Sequence, residues 1–129
     1  DNLLYVIKDP DFSLAPNFKL KEFSTSGGKV LPYARIDEDL IVNLQLLRND
    51  LQTPITISSS YRTISSNKAA SGSSKSRHLS GDAADIYAKD VTPKDLMKRS
   101  EDLFGENIGL HAYPTGHIHL DFRGYKARW

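Results

Sequence analysis

Apolar side chains recur at helical spacing between residues 37 and 51. The stripe consists of five aliphatic residues: Leu40, Ile41, Leu44, Leu47 and Leu51. A repeat of three to four residues places such side chains on one face of a helix. Asp37 precedes the stripe as a candidate N-cap, and the acidic Glu38 and Asp39 suit the positive end of the helix dipole. The pattern predicts a core helix over residues 37–51.

A second helix is predicted between Thr92 and Gly105. Thr92 is a candidate N-cap, Pro93 suits the first helical position, and Gly105 is a typical helix end. Asp95 adds negative charge to the first turn. The side chains expected on the buried face of this helix are Leu96, Met97, Ser100, Leu103 and Phe104.

The segments around these helices have the pattern of short strands. Four strands are predicted, over residues 54–58, 83–88, 108–113 and 117–123. The Pro-Thr-Gly sequence at 114–116 predicts a hairpin turn between the last two. Residues 1–36, with three prolines and a glycine pair, are expected to be irregular, and their short apolar pieces at 3–7 and 18–20 either form strands or simply cover the core. We therefore predict an α+β fold with a small, mostly antiparallel sheet and two main helices.

The length of 129 residues fits one domain, because two halves would be too small to bury sizeable cores. We expect a single domain over residues 1–129, in which 1–17 form an irregular N-terminal segment. The sequence starts at Asp1 rather than Met, so a mature product or a domain of a longer protein is expected. We expect a monomer or a domain of a larger protein.

The composition excludes several kinds of site and partner. The chain has no cysteine, which rules out disulfides, thiolate nucleophiles and cysteine-based zinc sites. A formal net charge of +1 argues against nucleic acid as the main partner. No apolar run reaches the roughly 20 residues that a membrane-spanning helix needs. A metal ion would therefore depend on the acidic residues and the four histidines.

Histidine and aspartate alternate with apolar residues near the end of the chain. In a strand over 117–123, His117, His119 and Asp121 point to one face and the intervening apolar residues to the other. A structural role is the usual explanation for a single histidine on a strand. Two imidazoles and a carboxylate in a row favour a metal or catalytic face.

A second segment offers another histidine and aspartate. His78 and Asp85 are separated by a loop in which Gly81 permits a turn, and Asp85 shares a strand face with the small Ala83. With His119, these residues supply two imidazoles and one carboxylate, the ligand set of catalytic zinc with an open fourth position. Iron is a rival on ligand type alone. The chemistry indicated by zinc is hydrolysis of an amide or an ester.

The stretch between Leu51 and Gly81 contains no acidic residue. It is rich in Ser, Gly and Ala over 58–81, and it carries four basic residues: Arg62, Lys68, Lys75 and Arg77. One interpretation is a solvated loop, and the other is a wall that binds an anion such as a carboxylate.

The sequence resembles the zinc D-Ala-D-Ala carboxypeptidase family of peptidoglycan peptidases, part of a larger group with lysostaphin-type enzymes and the hedgehog signalling domain. The family pattern Ser-x-His-x-x-Gly-x-Ala-x-Asp is matched by Ser76, His78, Gly81, Ala83 and Asp85. The group's His-x-His pattern is matched by His117 and His119. The segments 59–63 with Asn67, 18–23 and 127–129 also look familial, so the resemblance spans roughly residues 18–129.

The resemblance implies a role for each matching residue. The zinc ligands would be His78, Asp85 and His119. Arg62 would bind a carboxylate or carbonyl of the substrate, although a surface ion pair is the simpler explanation for an arginine. Ser76 would hydrogen-bond the substrate backbone. By their strand positions, Tyr87 and Tyr113 either line a substrate groove or serve in packing. The fourth histidine, His111, either faces the same cleft or has a structural role, and we prefer the structural role.

The general base is the one position where the chain departs from the family pattern. Some members carry Asp or Glu three residues before the last ligand histidine, and here that residue is Gly116. His117 and Asp121 are the available replacements. We prefer His117, as a base or as a stabiliser of the oxyanion. Asp121 serves equally well as a support for His119.

The expected function is a zinc-dependent peptidase that cleaves peptidoglycan stem peptides. D-Ala-D-Ala carboxypeptidase activity is the first expectation, followed by endopeptidase cleavage as in phage lysins or tail-associated enzymes. Because that substrate lies outside the cytoplasm, an envelope, secreted or virion location is expected. The main alternative is a non-catalytic, zinc-containing module that binds the cell wall, which Gly116 favours. A structural zinc domain with a fully coordinated ion is a third hypothesis.

Overall fold

The computed structural model describes residues 2–26, 29–62 and 76–129. Its N-terminal part contains short strands and one short helix: β1 (Asn2–Val6), β2 (Ser13–Ala15), β3 (Phe18–Lys19), α1 (Leu20–Ser24), β4 (Thr25–Ser26), β5 (Lys29–Val30) and β6 (Tyr33–Asp37). The antiparallel pairs β1–β6, β2–β3 and β4–β5 form three two-stranded sheets.

The prediction that residues 1–36 are irregular is therefore wrong for the described part of this segment, whereas the alternative that the apolar pieces at 3–7 and 18–20 contain strands is confirmed by β1 and β3. The strands are two to five residues long, which is too short for a clear alternation of polar and apolar positions. Moreover, β1 pairs with a strand about 30 residues away, and single-sequence patterns do not show such pairing.

The rest of the chain builds the body of the fold. Its described elements are α2 (Glu38–Leu51), β7 (Ile55–Ser59), a 3-10 helix (Arg77–Ser80), β8 (Ala83–Ala88), α3 (Pro93–Phe104), β9 (Gly109–Ala112), β10 (Ile118–Asp121) and β11 (Ala127–Arg128). The central sheet has the order β11-β9-β10-β8-β7 and is antiparallel except between β11 and β9. The predicted α+β fold with a mostly antiparallel sheet is confirmed.

Both main helices begin as their sequences predict. The Asp37 carboxylate accepts a hydrogen bond from the Asp39 amide at 3.0 Å, and the Thr92 hydroxyl accepts one from the Asp95 amide at 3.2 Å. These caps satisfy amides that have no partner within the helix. The prediction that Leu103 of α3 is buried is wrong. Its side chain is 41% exposed and lies in an open groove that Asn43 and Phe122 also line.

The register of the central sheet separates an apolar face from a polar one. On β10, Ile118 and Leu120 are fully buried and pair with apolar residues of β8 and β9. Helix α3 contacts β8, β9 and β10, which buries the apolar face of this sheet. Because side chains alternate along a strand, His119 and Asp121 lie on the opposite face. The apolar core thus fixes which face carries the polar residues.

Candidate metal centre

Three side chains from separate elements meet on the polar face of the sheet. His78 comes from the 3-10 helix, Asp85 from β8 and His119 from β10, and all three are buried. His78 Nε2 lies 3.2 Å and His119 Nδ1 3.3 Å from the same Asp85 oxygen, Oδ1. One ligand atom from each residue lies within 4.8 Å of the others. The structure thus brings together the three residues that the sequence predicts as ligands.

The strand register explains how two of these residues meet. His119 lies directly opposite Asp85 in the antiparallel β8–β10 pair, so both side chains project from the same face. His111 lies opposite His119 on β9, also on this face. Aspartate and histidine 34 residues apart are therefore brought into contact by backbone pairing alone.

The loop that carries His78 is held by its own motif residues. The Ser76 hydroxyl accepts a hydrogen bond from the His78 amide at 3.2 Å, as the N-cap of the 3-10 helix. Gly81 ends that helix with a φ of +80°, and a Cβ there would lie 2.2 Å from the Arg35 carbonyl oxygen. Only glycine fits both the conformation and the space. Ser76 and Gly81 thereby fix the turn that presents His78 to Asp85.

The far nitrogen of each histidine has a partner that sets its tautomer. His78 Nδ1 lies 2.7 Å from the Ser60 carbonyl oxygen, and His119 Nε2 lies 2.6 Å from Asp121 Oδ2. Because both partners accept hydrogen bonds, these nitrogens carry the hydrogen in the neutral rings. The lone pairs of His78 Nε2 and His119 Nδ1 then face Asp85 Oδ1. This donor set of two neutral imidazoles and a carboxylate fits a zinc ion.

Arg123 holds the Asp121 carboxylate next to His119, and Gly109 leaves space for it because it has no side chain. Its carboxylate is fully buried and accepts hydrogen bonds from Arg123 Nε at 2.8 Å and Nη2 at 2.6 Å. Gly109 lies opposite Asp121 on β9, and a Cβ there would lie 2.3 Å from Asp121 Oδ2. Neither Arg123 nor Gly109 was predicted from the sequence. The spacing of Arg123, two residues after Asp121, was an available signal, but the need for Gly109 follows only from the strand register.

The polar contacts keep both carboxylates ionised. Burial alone would raise the pKa of Asp85, but its contacts with His119 and His78 outweigh burial and hold the pKa well below its usual range. Burial would also raise the pKa of Asp121, and there the contacts with Arg123 and His119 prevail and lower the pKa. For His119, burial would lower the pKa, but Asp121 and Asp85 beside its two ring nitrogens favour the protonated ring and raise the pKa. Asp85 therefore offers an ionised oxygen between the two imidazoles.

Two hydrogen-bond donors approach Asp85 from outside the ligand group. Arg62 Nη2 lies 3.3 Å from Asp85 Oδ2, and Arg62 Nε donates to the Ser59 hydroxyl at 3.1 Å. The Tyr113 hydroxyl lies 3.4 Å from Asp85 Oδ1. Burial and then the charge of Asp85 raise the pKa of Tyr113 to about 12, so its hydroxyl keeps its proton at neutral pH. Arg62 is thus an ion-pair partner of Asp85 as well as a candidate substrate ligand.

Aromatic rings cover one side of His119. His111 stacks on Trp129 with ring centroids 5.3 Å apart, and His119 meets the same indole edge-on at 5.0 Å. Trp129 is nevertheless 57% exposed, and the Arg123 guanidinium lies 5.1 Å from its ring. His111 therefore lies on the same face as the three candidate ligands, as the alternative interpretation of this residue predicts. No role for Trp129 was predicted from the sequence.

The two candidate bases occupy different positions. The His117 ring packs edge-on against Tyr87 at 4.7 Å, and its Nδ1 lies 3.0 Å from the Thr115 hydroxyl, just before β10. The carboxylate of Asp121 contacts Arg123 and the outer nitrogen of His119, which suits a supporting role. Gly116 lies in the preceding turn with a φ of +93°. Residues 63–75, including Asn67 and Lys68, lie outside the described residues.

Comparison with known proteins relates the chain to a peptidase family. A family model described as peptidase M15 matches residues 16–121, a range that includes all three residues of the candidate centre. No curated protein matches the chain.

Proposed function

The chain belongs to the peptidase M15 family, and from this we propose that it is a zinc-dependent peptidase that cleaves peptide bonds in peptidoglycan stem peptides. Release of the terminal D-Ala from D-Ala-D-Ala is the proposed reaction, with endopeptidase cleavage as the variant of the same chemistry. Because this substrate lies outside the cytoplasm, we propose an extracytoplasmic location. Within the described residues, no helix is long and apolar enough to cross a membrane.

The buried group of His78, Asp85 and His119 is the observation that carries this proposal. Its coordinating atoms converge, and the outer nitrogen of each histidine already has an acceptor. Such backing contacts orient ligand histidines and raise their basicity. We propose these three residues as the zinc ligands. When bound there, zinc would supply a Lewis acid that polarises the scissile carbonyl and makes water a better nucleophile.

The remaining residues are proposed to bind the substrate and handle the proton. His117 takes the proton of the attacking water at Nε2 and returns it to the departing amine, while Thr115 holds Nδ1. Arg62 binds a substrate carboxylate from the rim of the site, where its guanidinium already contacts Asp85 and Ser59 and has the planar geometry that suits a carboxylate. The Ser76 hydroxyl, an acceptor towards the His78 amide, donates to the substrate backbone.

Incubation of the zinc-loaded protein with defined peptides tests the proposal. One substrate is a stem pentapeptide ending in D-Ala-D-Ala, and the other is a cross-linked dimer of stem peptides. Mass spectrometry separates released D-Ala from new amine termini. We expect cleavage by the wild type and none by His119→Ala. No product from either substrate between about pH 5 and 9, with zinc bound, would contradict a peptidase function.

The second candidate function is a zinc-containing module that binds cell-wall peptides without cleaving them. Gly116 favours it, because a glycine places no carboxylate at the position where some family members have one. This candidate predicts stoichiometric zinc and measurable binding of intact stem peptides, without product.

If the wild type is active, His117→Ala and Asp121→Ala identify the base. Loss of turnover with zinc retained is expected for His117→Ala, and weakened zinc binding for Asp121→Ala.

A further inference from the structure

Tyr113 has a hydroxyl at the candidate metal centre that the roles assigned above leave unused. The hydroxyl lies 3.4 Å from Asp85 Oδ1, the same oxygen that faces His78 Nε2 at 3.2 Å and His119 Nδ1 at 3.3 Å. Its position is therefore at the point where the three candidate ligands converge. A contact of 3.4 Å is long for a hydroxyl donor, whose usual distance is near 2.8 Å.

The backbone next to Tyr113 holds the ring in this place. The Tyr113 amide donates to the His117 carbonyl oxygen at 2.9 Å, which closes the hairpin between β9 and β10. Its ring packs edge-on against His111 at 4.9 Å, and His111 is in turn stacked on Trp129. The hydroxyl is thus presented from a rigid hairpin rather than from a free loop.

Packing does not account for the hydroxyl itself. A phenylalanine would make the same ring contact with His111 and the same backbone hydrogen bond. The tyrosine adds one donor directed at an ionised carboxylate oxygen, which is also positioned to serve as a zinc ligand. An Asp85 oxygen that binds zinc has less need of a hydrogen bond from the Tyr113 hydroxyl. The donor can then turn towards a substrate oxygen held in the same pocket.

We propose that Tyr113 is a catalytic residue whose hydroxyl donates a hydrogen bond to the carbonyl oxygen of the scissile peptide bond. The bond strengthens as negative charge develops on that oxygen in the tetrahedral transition state, and no proton is transferred. This inference rests on the proposed peptidase function. It gives the oxyanion a donor whose hydroxyl directly contacts one of the candidate ligands.

The test compares Tyr113→Phe with the wild type and with Tyr5→Phe, a matched control on the separate β1–β6 sheet. Three quantities are measured for each protein: kcat and KM on the stem pentapeptide, zinc affinity by competition with a chelator, and the affinity of a phosphinate dipeptide analogue. The phosphinate imitates the tetrahedral transition state. We expect Tyr113→Phe to lose about 100-fold in kcat and a similar factor in phosphinate affinity, with KM and zinc affinity unchanged.

Other results would overturn the inference in distinguishable ways. Zinc binding weakened about tenfold, with a parallel loss of phosphinate affinity, would make Tyr113 a positioning residue for Asp85. An active wild type with unchanged kcat and phosphinate affinity in Tyr113→Phe would remove Tyr113 from the reaction and leave the peptidase proposal intact. A wild type that binds zinc but cleaves neither substrate would overturn both proposals.

Discussion

Replacement of Gly109 by alanine tests whether the contact behind His119 controls the affinity for zinc. The added Cβ would lie 2.3 Å from Asp121 Oδ2 and 2.5 Å from Oδ1, whereas ordinary contacts begin at 3.4 Å. The Asp121 carboxylate must therefore shift by about 1 Å. The φ of Gly109 lies outside the left-handed region, so alanine meets no backbone strain there. The substitution changes no charge and removes no side chain.

The shift breaks the short hydrogen bond by which Asp121 orients His119. Asp121 Oδ2 lies 2.6 Å from His119 Nε2, and a displacement of about 1 Å exceeds the range of a good hydrogen bond. Loss of such a contact behind a ligand histidine lowers metal affinity by about 10- to 100-fold, or about 1.4–2.8 kcal/mol. Overpacking at this buried site should also lower the free energy of unfolding by about 1–3 kcal/mol.

Competition with a chromogenic chelator measures the zinc affinity, and circular dichroism verifies that the variant is folded. Gly105→Ala is the control, because it lies at the end of α3 with nothing within 4 Å of its Cβ. Its positive φ of +80° costs stability, but its zinc affinity should equal that of the wild type. A folded Gly109→Ala protein that binds zinc as tightly as the wild type would refute the reasoning.

Three further predictions concern the ligands, the cap and the core. His119→Ala should retain less than one zinc per chain by elemental analysis, and full zinc occupancy in this variant would exclude His119 as a ligand. Chelation of the wild type should abolish cleavage until zinc is restored. Ser76→Ala should lower the free energy of unfolding by about 1 kcal/mol in urea, because the His78 amide loses its cap; no change would mean that water replaces the hydroxyl. Leu44→Ala should cost about 2–5 kcal/mol by the same measurement, since Leu44 is fully buried in α2. A cost below about 1 kcal/mol would contradict its place in the core.

The helices and the main strands were predictable because their signals are local. The N-caps Asp37 and Thr92 and the aliphatic stripe of α2 depend on residues within a few positions of each other. The prediction for 83–88 coincides with β8, and the predicted strands at 108–113 and 117–123 are each longer than β9 and β10. Of the short N-terminal strands, β1 and β3 were predicted only as an alternative to irregular structure, because their pairing partners, not their patterns, stabilise them.

The candidate ligands were also predictable in part. Alternation along β10 places His119 and Asp121 on one face, and the spacing from His78 to Asp85 matches a family motif. The different roles of Asp85 and Asp121 followed from the family resemblance and not from the strand pattern, because both are carboxylates on one sheet face. Only the contacts show that Asp85 lies between the histidines, while Asp121 lies behind His119 and is paired with Arg123.

The sequence by itself determined the local elements, the polar face of β10 and the identity of the residues able to bind a metal ion. Only the tertiary structure decided which atoms converge, because strand register and loop placement bring together residues distant along the chain. Ser60, Gly109 and Tyr113 acquire their places at the centre in this way, through a carbonyl oxygen, an absent Cβ and a hydroxyl. None of these three features has a pattern along the chain, since each depends on a partner that folding supplies.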